Sequence, residues 1–578
     1  MRSGRGSKAG HARKHRVTIG LLTRLSGVCL LSIACATFAE SEGDSHLEVE
    51  TAAGTLIGSE AEGVRRFLGV PFAAPPVGEL RFRAPLAAAP WQGTRDARRF
   101  APVCAQARVQ AGALEVEGDE DCLYLNVYAP SGTPETSETQ QIAEIDGGNR
   151  PVLVWIHGGG RRVGDGRRDV ADFVRDTGSL VVTIQYRLSH FAFFAHPALS
   201  AEDPSRLASG NYGFQDAIAA LRWVREEIAA FGGDSRRITI GGLSGGGSMV
   251  CGLLVSPQAA GLFDAAIIQS GSSCWFPTDP IGLAEARGQM NAEALGCAGP
   301  GDVAACLRAQ PVPAFYAALG RVLNNPFSPD STESFAAMPM LGARSGHQVD
   351  GHVFTRSWPQ AFHAGAFHRV PVMIGVAQQE GRLIYGQLLY DMGSHSFGEE
   401  DYARALLGLT GSPRMARAAA DHFPFDGTGI SVAEAFADVA TQAHYTCPLS
   451  EMAAEIGRFA PTYFYEYRVP GPLVSDRIEL GAYHGADTDT LFGGGYRDAL
   501  RPFGPRQKQA AETLRGYVAR FMRTGDPNGV GLPRWPLHEA TSGALHLAFD
   551  DAPHVANGLR EAACRFWREQ SWEALPRF

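Results

Sequence analysis

Long hydrophobic runs are missing from this sequence. Nowhere do about 18 or more apolar residues follow one another, so the sequence predicts no transmembrane helix. Internal repeats of about 20–50 residues are missing too, which excludes a solenoid or propeller. The sequence also has no basic excess, because 61 acidic residues outnumber 52 basic ones and give a net charge of −9. This balance removes any electrostatic basis for binding nucleic acid or an anionic membrane surface.

The composition is that of a globular protein. Hydrophobic residues make up 45% of the chain and charged residues 20%, which is enough apolar material for a large core. Length alone suggests several domains of about 150 residues, although large α/β enzymes often exceed that size in one domain.

The N-terminus differs in composition from the rest of the chain. Its first 24 residues carry seven basic side chains and no acidic one, and Leu25 to Phe38 is then mostly apolar and small. With Ala39 as a small exit residue, this pattern predicts a secretory signal over residues 1–39 and a secreted or periplasmic domain over residues 40–578. The alternatives are a disordered basic tail followed by a first buried segment or, because of Cys35, a lipoprotein signal.

The number of cysteines is consistent with a protein that is exported from the cytosol. The chain has ten cysteines, of which two fall in the predicted signal. The eight that remain form an even set, which is typical of a protein that folds in an oxidising compartment. The alternative is a cytosolic enzyme with eight reduced and buried cysteines, which the predicted signal disfavours.

Short, continuous apolar runs alternate with helical patterns along the chain. Helical spacing of apolar residues is clearest in Gln215 to Ala230. Unbroken apolar runs are typical of strands buried on both faces, so the alternation predicts an α/β fold with a mostly parallel sheet and helices on both faces. The low-complexity stretch from Ser131 to Arg150 is predicted to be an exposed loop between neighbouring strands of that sheet. The predicted strands are Leu123–Tyr128, Val152–Ile156, Leu180–Ile184, Ile238–Ile240, Ala265–Ile268 and Val370–Ile374.

A glycine-rich turn follows one of these strands. Gly242-Leu243-Ser244-Gly245-Gly246 fits the G-x-S-x-G nucleophile elbow, in which a strained turn raises a serine hydroxyl at the start of a helix. Backbone N–H groups at that helix end favour negative charge. The alternatives are a plain glycine-rich turn or a phosphate loop, but the Lys that a phosphate loop requires is missing.

A second glycine-rich segment comes directly after the strand Val152–Ile156. His157-Gly158-Gly159-Gly160 is an HGGG-type loop, whose N–H groups stabilise the oxyanion in lipases and esterases. We expect the N–H groups of Gly159, Gly160 and Gly245 to form the oxyanion hole, with His157 in a structural role. Two such motifs in this order, each at a strand exit, indicate a serine hydrolase.

Several longer stretches resemble type-B carboxylesterases, the family that also contains cholinesterases. The resemblance runs from about Val49 to Trp567 and covers nearly all of the predicted mature chain. It implies an α/β-hydrolase fold and hydrolysis of carboxylic esters through an acyl-enzyme, without a metal or cofactor. The stretches that carry it are Phe67–Phe82, Glu120–Tyr128, Gly210–Asp216, Phe231–Asp234, Gln269–Ser272 and Gly525–Asn528.

The resemblance also implies the other two members of a catalytic triad. The segment Ile374–Gly381 resembles the acid loop of the family and places Glu380, and Gly481–Asp487 resembles its histidine loop and places His484. Spacing alone could not have selected these two residues among 17 His and 61 acidic residues. The chain order Ser, Glu, His is the one that α/β-hydrolases use.

Three disulfides are likewise implied by the resemblance, whereas Cys251 and Cys274 have no clear partner in the family. These two cysteines either pair or remain buried thiols, which is the more common fate. The implied pairs are Cys104–Cys122, Cys297–Cys306 and Cys447–Cys564.

Two alternatives to a carboxylesterase remain at this point. The same triad serves amide and thioester substrates and acyl transfer, so the bond that is cleaved stays open. A non-catalytic binding protein on this fold is disfavoured because all three triad residues are present. We expect a small neutral ester as the substrate, with no nucleic-acid partner, no stable membrane span and no prediction of oligomeric state.

Some positions depart from the family pattern. Leu243 stands where the family usually has Glu, Gly245 where it usually has Ala, and Gln379 where Asp is common. The loop between Cys104 and Cys122 contains no Trp.

We predict that choline esters are poor substrates. Cholinesterases use a Trp in that loop to hold a cation against its aromatic face, and this chain lacks it. The measurement compares acetylthiocholine with neutral aryl acetates under one set of conditions. Equal turnover of the two would contradict the prediction.

Overall fold

The computed structural model describes residues 47–110, 113–132, 149–204, 208–319, 346–386, 399–425, 427, 429–475, 478–494, 502–539 and 545–570. The predicted signal over residues 1–39 lies outside the described residues, and so does most of the low-complexity stretch.

A single large sheet organises the described residues. It contains eleven strands, in the spatial order β11-β10-β9-β8-β7-β6-β4-β5-β3-β2-β1. In chain order they are β1 (Ser59–Ala61), β2 (Val64–Pro71), β3 (Tyr124–Pro130), β4 (Arg150–Ile156), β5 (Leu180–Ile184), β6 (Gly233–Leu243), β7 (Ala265–Gln269), β8 (Val372–Ala377), β9 (Thr462–Tyr467), β10 (His546–Phe549) and β11 (His554–Ala556).

The centre of the sheet is parallel, as predicted. Neighbouring strands run parallel from β5 through β4, β6, β7, β8 and β9 to β10, and the antiparallel pairs lie towards the two edges. One detail differs from the sequence prediction. The strands that flank the low-complexity stretch, β3 and β4, share the sheet but are not neighbours, because β5 lies between them.

The central strands separate two hydrophobic cores. Along β4, the side chains of Val152, Val154 and Ile156 join one core, and those of Leu153 and Trp155 join the other. Successive side chains of a strand point to opposite faces of the sheet, so a strand buried on both faces must be apolar at every position. This is the physical reason that continuous apolar runs identified these strands.

Helices cover both faces of the sheet. The helix predicted over Gln215–Ala230 spans Tyr212–Glu227 and continues as a 3-10 turn over Ile228–Phe231. The α-helices are α1 (Ala171–Thr177), α2 (Ser189–Phe193), α3 (Pro197–Ser200), α4 (Tyr212–Glu227), α5 (Gly245–Val255), α6 (Ile281–Ala294), α7 (Val303–Ala309), α8 (Val312–Leu319), α9 (Trp358–His363), α10 (Glu399–Thr410), α11 (Pro413–His422), α12 (Val432–Thr441), α13 (Cys447–Gly457), α14 (Ala486–Phe492), α15 (Pro505–Thr524) and α16 (Glu561–Glu569). Side chains of α4, α5, α9 and α13 belong to the first core, and those of α1, α14 and α15 to the second.

The candidate site residues follow the carboxyl ends of the parallel strands. The HGGG-type loop follows β4, Ser244 follows β6, and Glu380 follows β8. In parallel sheets with helices on both faces, the crevice at the carboxyl ends of the strands is where ligands bind. The sheet therefore brings together segments that are far apart in the sequence.

Four disulfides cross-link the described chain. Three are the pairs implied by the family resemblance. The fourth joins Cys251 on α5 to Cys274 in the loop after β7. The sequence left this pair open and favoured free thiols, but the fold brings the two cysteines together because α5 packs against that loop. Among the described residues, no helix combines the length and the apolar content needed to cross a bilayer.

We predict that the Cys447–Cys564 disulfide contributes more to the free energy of unfolding than the Cys297–Cys306 disulfide does. The first joins residues 117 apart and the second residues 9 apart. Cross-linking restricts the unfolded chain more when the closed loop is longer, so replacing each pair by Ala should lower the free energy of unfolding by about 5 and about 2.6 kcal/mol, respectively. Urea unfolding of the two double variants, followed by tryptophan fluorescence, measures both losses. A smaller loss for the long loop would contradict the prediction.

Candidate active site

Ser244 occupies the sharp turn between β6 and α5. Its backbone adopts φ 58° and ψ −119°, a conformation that residues other than glycine rarely adopt. The N–H of Ser244 donates to the carbonyl oxygen of Gln269 at 2.8 Å, and its carbonyl oxygen accepts from the N–H of Ser248 at 2.9 Å. Hydrogen bonds on both sides thus hold the strained turn that the G-x-S-x-G pattern predicts.

Two glycines make this turn sterically possible. A Cβ on Gly246 would lie 2.0 Å from the carbonyl oxygen of Ile156, and a Cβ on Gly242 would lie 2.5 Å from the carbonyl carbon of Gly246. No side chain fits at such distances, because the end of β4 packs directly against the turn. The two glycines of the motif are therefore required by packing.

The HGGG-type loop lies beside the turn. Gly159 and Gly160 adopt φ 95° and 63°, and the carbonyl oxygen of Gly159 accepts from the N–H groups of Arg162 and Val163, each at 3.1 Å. Within the described residues, the N–H groups of Gly159 and Gly160 donate to no protein acceptor. A Cβ on Gly245 would lie 2.8 Å from the backbone nitrogen of Gly160, so the three predicted oxyanion residues adjoin one another.

Glu380 and His484 are hydrogen-bonded. His484 Nδ1 lies 2.5 Å from Glu380 Oε2, although the two residues are 104 positions apart. Glu380 is fully buried, and its other oxygen, Oε1, accepts from the N–H of Ala377 at 2.6 Å and from the hydroxyl of Ser270 at 2.5 Å. These contacts fix the carboxylate, and through it the imidazole ring.

Ser244 and His484 line the same cavity without a hydrogen bond between them. His484 Nε2 is buried and has no hydrogen-bond partner among the described residues. The cavity has a volume of about 640 Å³, and the oxyanion glycines Gly159, Gly160 and Gly245 also line it. All the predicted triad and oxyanion residues except the buried Glu380 therefore border one space.

The His157 side chain is buried at the start of the HGGG-type loop. Its ring stacks on that of Tyr186 with 4.5 Å between centroids, and the Tyr186 hydroxyl donates to the His157 carbonyl oxygen at 3.0 Å. Burial lowers the pKa of His157 to about 4, so the ring is neutral at neutral pH. A buried ring of such low basicity is a poor general base, and its contacts support a structural role for His157.

Sequence reasoning missed a contact that joins the acid loop to the histidine loop. The side chain of Gln379 accepts from the N–H of Ala482 at 2.8 Å, and the Gln379 N–H donates to the Ala482 carbonyl oxygen at 3.0 Å. In sequence, Gln379 is only a departure from the family pattern. In the fold, its two hydrogen bonds to Ala482 hold the acid loop beside the histidine loop, which places Glu380 next to His484.

A buried polar network behind the histidine loop was also missed. Asp487 accepts from the Tyr465 hydroxyl at 2.6 Å and from the N–H of Thr488 at 2.8 Å. Gln269 donates to the Tyr465 oxygen at 2.9 Å and accepts from the Thr488 hydroxyl at 2.5 Å. Asp487 and Gln269 lay within stretches that carry the resemblance, but only the fold shows that their side chains meet.

Metal ligation has no candidate in this region. Among the described residues, no group of three or more His, Cys, Asp or Glu side chains is arranged to hold a metal ion. The chemistry available to the site is that of a hydroxyl, an imidazole, a carboxylate and backbone N–H groups, which together suit acyl transfer.

Known proteins resemble this chain over most of its length. A sequence model of the carboxylesterase family matches residues 45–567. Human carboxylesterase 3 is 32% identical over 96% of this chain and 96% of its own, and human cocaine esterase is 32% identical over 89% and 88%. A solved structure of a PNB esterase superposes with a TM-score of 0.71 at 26% identity, covering 90% of this chain and 100% of that chain.

We predict that Asp487 lowers stability as the pH rises from about 4 to about 7. Burial raises the pKa of Asp487 to about 6, against the hydrogen bond from Tyr465, which lowers it. An unfolded Asp titrates near pH 3.9, so the stabilisation from the protonated carboxyl is complete below about pH 4 and is lost as the pH rises through about 6. That loss amounts to about 3 kcal/mol.

Urea unfolding between pH 4 and pH 7 measures this effect in the wild type and in Asp487→Asn. From pH 4 to pH 7, the free energy of unfolding of Asp487→Asn should change more favourably than that of the wild type by about 3 kcal/mol, because the amide does not ionise. The buried histidines raise stability over this range equally in both proteins. Asp551→Asn serves as the control, since the Asp551 side chain is 61% exposed. Equal pH slopes in the wild type and Asp487→Asn would refute the prediction.

Proposed function

This chain belongs to the carboxylesterase family and is a carboxylic ester hydrolase with an α/β-hydrolase fold; from this premise we propose that Ser244 is its nucleophile, His484 its general base and Glu380 the residue that orients the base. The observation that carries the proposal is the hydrogen bond between Glu380 and His484. His484 borders the same cavity as Ser244, which occupies the strained turn.

Acylation begins with proton transfer. His484 Nε2 accepts the proton of Ser244 Oγ as Oγ attacks the ester carbonyl. A hydrogen bond between these two atoms must form at this step, and such contacts often tighten only when substrate is bound. Glu380 holds Nδ1 of the ring, which keeps Nε2 available as the acceptor and stabilises the imidazolium.

The oxyanion of the tetrahedral intermediate is held by the N–H groups of Gly159, Gly160 and Gly245. Those of Gly159 and Gly160 have no protein acceptor among the described residues, and Gly245 begins α5, where N–H groups lack intrahelical partners. Each such donor contributes about 2.7–4 kcal/mol to transition-state binding. His484 then protonates the leaving alcohol, and water releases the acyl group from Ser244 by the same steps in reverse.

We also propose that the protein is exported from the cytosol. Four disulfides in the described chain support this, because such bonds persist in oxidising compartments. The basic and apolar N-terminal pattern over residues 1–39 is the signal that we propose for export.

Replacing the nucleophile tests the proposed mechanism. We expect Ser244→Ala to lower kcat for p-nitrophenyl esters by about 10⁴–10⁶-fold, because covalent catalysis is lost while the oxyanion donors remain. A fluorophosphonate probe should label the wild type and fail to label the variant. An unchanged kcat in Ser244→Ala would overturn the assignment.

Ser59→Ala is the matched control, because Ser59 lies on the edge strand β1. It loses the same hydroxyl group away from the site and should keep wild-type turnover and labelling. Thermal unfolding of both variants verifies that they are folded. A series of p-nitrophenyl esters of increasing acyl length, run in parallel, defines which neutral acyl groups the cavity accepts.

A further inference from the structure

Two π-helical turns border the cavity that contains Ser244. One spans Arg382–Gly386, directly after the acid loop, and contributes Ile384 to the cavity wall. The other spans Gln442–Thr446, between α12 and α13, and contributes Tyr445. Turns of this kind are rare and occur frequently at functional sites. The Tyr445 side chain is therefore a candidate for a role in substrate binding.

The turn that carries Tyr445 is held against the acid loop. The N–H of Gly381 donates to the Thr441 hydroxyl, at the end of α12, at 2.9 Å. A Cβ on Gly381 would lie 2.1 Å from the carbonyl oxygen of Ala437, so the two segments are in direct contact. After the turn, a disulfide ties Cys447 to α16. These contacts fix the backbone on both sides of Tyr445, which gives its ring a defined position at the cavity.

Tyr445 lies beside the proposed general base. Its ring packs against that of His484 with 5.1 Å between centroids, and only 4% of the residue is exposed. Within the described residues, the Tyr445 hydroxyl donates to no acceptor. A buried donor without an acceptor is costly, so the acceptor for this proton has to come from the cavity itself.

The phenol of Tyr445 keeps its proton at neutral pH. Burial raises the pKa of Tyr445, and the nearby charge of Glu380 raises it further. The hydroxyl of Ser272 is close enough to donate to the Tyr445 oxygen, which lowers that pKa in part. Because the proton stays on the phenol, Tyr445 acts as a hydrogen-bond donor.

The two hydroxyls together favour donation into the cavity. Ser272 also lines the cavity, and when it donates to the Tyr445 oxygen it leaves the Tyr445 proton for a third group. Successive hydrogen bonds polarise one another, so Tyr445 becomes a stronger donor. The hydroxyl of Ser248, which lines the cavity as well, is engaged because it donates to the carbonyl oxygen of Ser244 at 3.2 Å.

We propose that Tyr445, supported by Ser272, donates a hydrogen bond to a neutral oxygen of the substrate, so that the preferred esters carry a second carbonyl group besides the ester that is cleaved. This inference rests on the proposed function of Ser244 and goes beyond it, because it names a class of substrate. Simple alkyl esters are hydrolysed, and esters of the same shape with a second carbonyl are hydrolysed better.

A neutral acceptor fits this position better than an anion. The charge of Glu380 acts on the phenol, and the same charge repels an anionic acceptor. A hydrogen bond beside His484 also orients the ester relative to the base, which lowers the entropy cost of the reaction. An alkyl group at the same place leaves the Tyr445 hydroxyl without its acceptor, and sites with such a donor discriminate against substrates that cannot pair with it.

The experiment uses two pairs of esters in which a ketone oxygen replaces a methyl group. p-Nitrophenyl 5-oxohexanoate against p-nitrophenyl 5-methylhexanoate places the acceptor on the acyl side. 4-Oxopentyl acetate against 4-methylpentyl acetate, followed by pH-stat titration, places it on the alcohol side. We expect at least one oxo ester to exceed its methyl partner in kcat/KM by about 10-fold, after subtraction of spontaneous hydrolysis, and that pair identifies the side that Tyr445 binds. Apolar burial alone favours the methyl esters, so the two explanations predict opposite preferences.

Hydroxyl variants link this preference to the subsite. In Tyr445→Phe, the ratio of oxo to methyl kcat/KM should fall by about 10-fold, because the ring remains beside His484 and only the donor is lost. Ser272→Ala should lower the ratio by a smaller factor, because Tyr445 keeps its proton. The matched control is Tyr402→Phe on α10, which loses a buried hydroxyl that donates to the carbonyl oxygen of Phe423 at 2.7 Å and should keep the wild-type ratio. Because a ratio is compared, a general loss of activity does not affect the result.

The possible outcomes separate the subsite from the mechanism. If the wild type hydrolyses the methyl esters but prefers neither oxo ester, the subsite is refuted and the mechanism stands. A preference that persists in Tyr445→Phe, or that falls more in Ser272→Ala than in Tyr445→Phe, also refutes Tyr445 as the donor. The wild-type comparison and Ser272→Ala keep the proposal testable if Tyr445→Phe does not fold. If Ser244→Ala retains activity on the methyl esters, the mechanism itself fails.

Discussion

The backbone of Ser244 is held at a positive φ by the packing of β4 against the turn between β6 and α5. Gly246 approaches the carbonyl oxygen of Ile156 so closely that no side chain fits there. The same approach sets the HGGG-type loop, which continues from β4, beside the start of α5. The strained serine and the oxyanion glycines therefore share one cause, which is the register of two adjacent parallel strands.

The acid and the base depend on the same sheet. Glu380 follows β8, and its carboxylate is fixed by Ser270, which follows β7, and by the backbone of Ala377. His484 contacts the Glu380 carboxylate from a loop that is held in place by the hydrogen bond between Gln379 and Ala482. Apart from the local contact with Ala377, these contacts join residues 103 to 110 positions apart, so the geometry of the site is a property of the whole fold.

This dependence explains what the sequence could and could not predict. The strands and both glycine motifs are local patterns, and the sequence located them, although β8 begins two residues later than predicted. Glu380 and His484 required the family resemblance, because nothing in their local sequence distinguishes them from other acids and histidines. The pairing of Cys251 with Cys274 was left open and the network around Asp487 was missed, since both depend on side chains that only tertiary packing brings together.

The Cys251–Cys274 disulfide has a consequence for how the protein is made. Both cysteines are fully buried, one on the helix that begins after Ser244 and the other after the loop of Ser270. Once the core has closed, neither oxidants nor reductants in solution reach these sulfur atoms without unfolding. The bond must therefore form before packing is complete, and a chain that closes its core with two thiols keeps them. Each folded molecule thus retains a record of the redox conditions in which it folded.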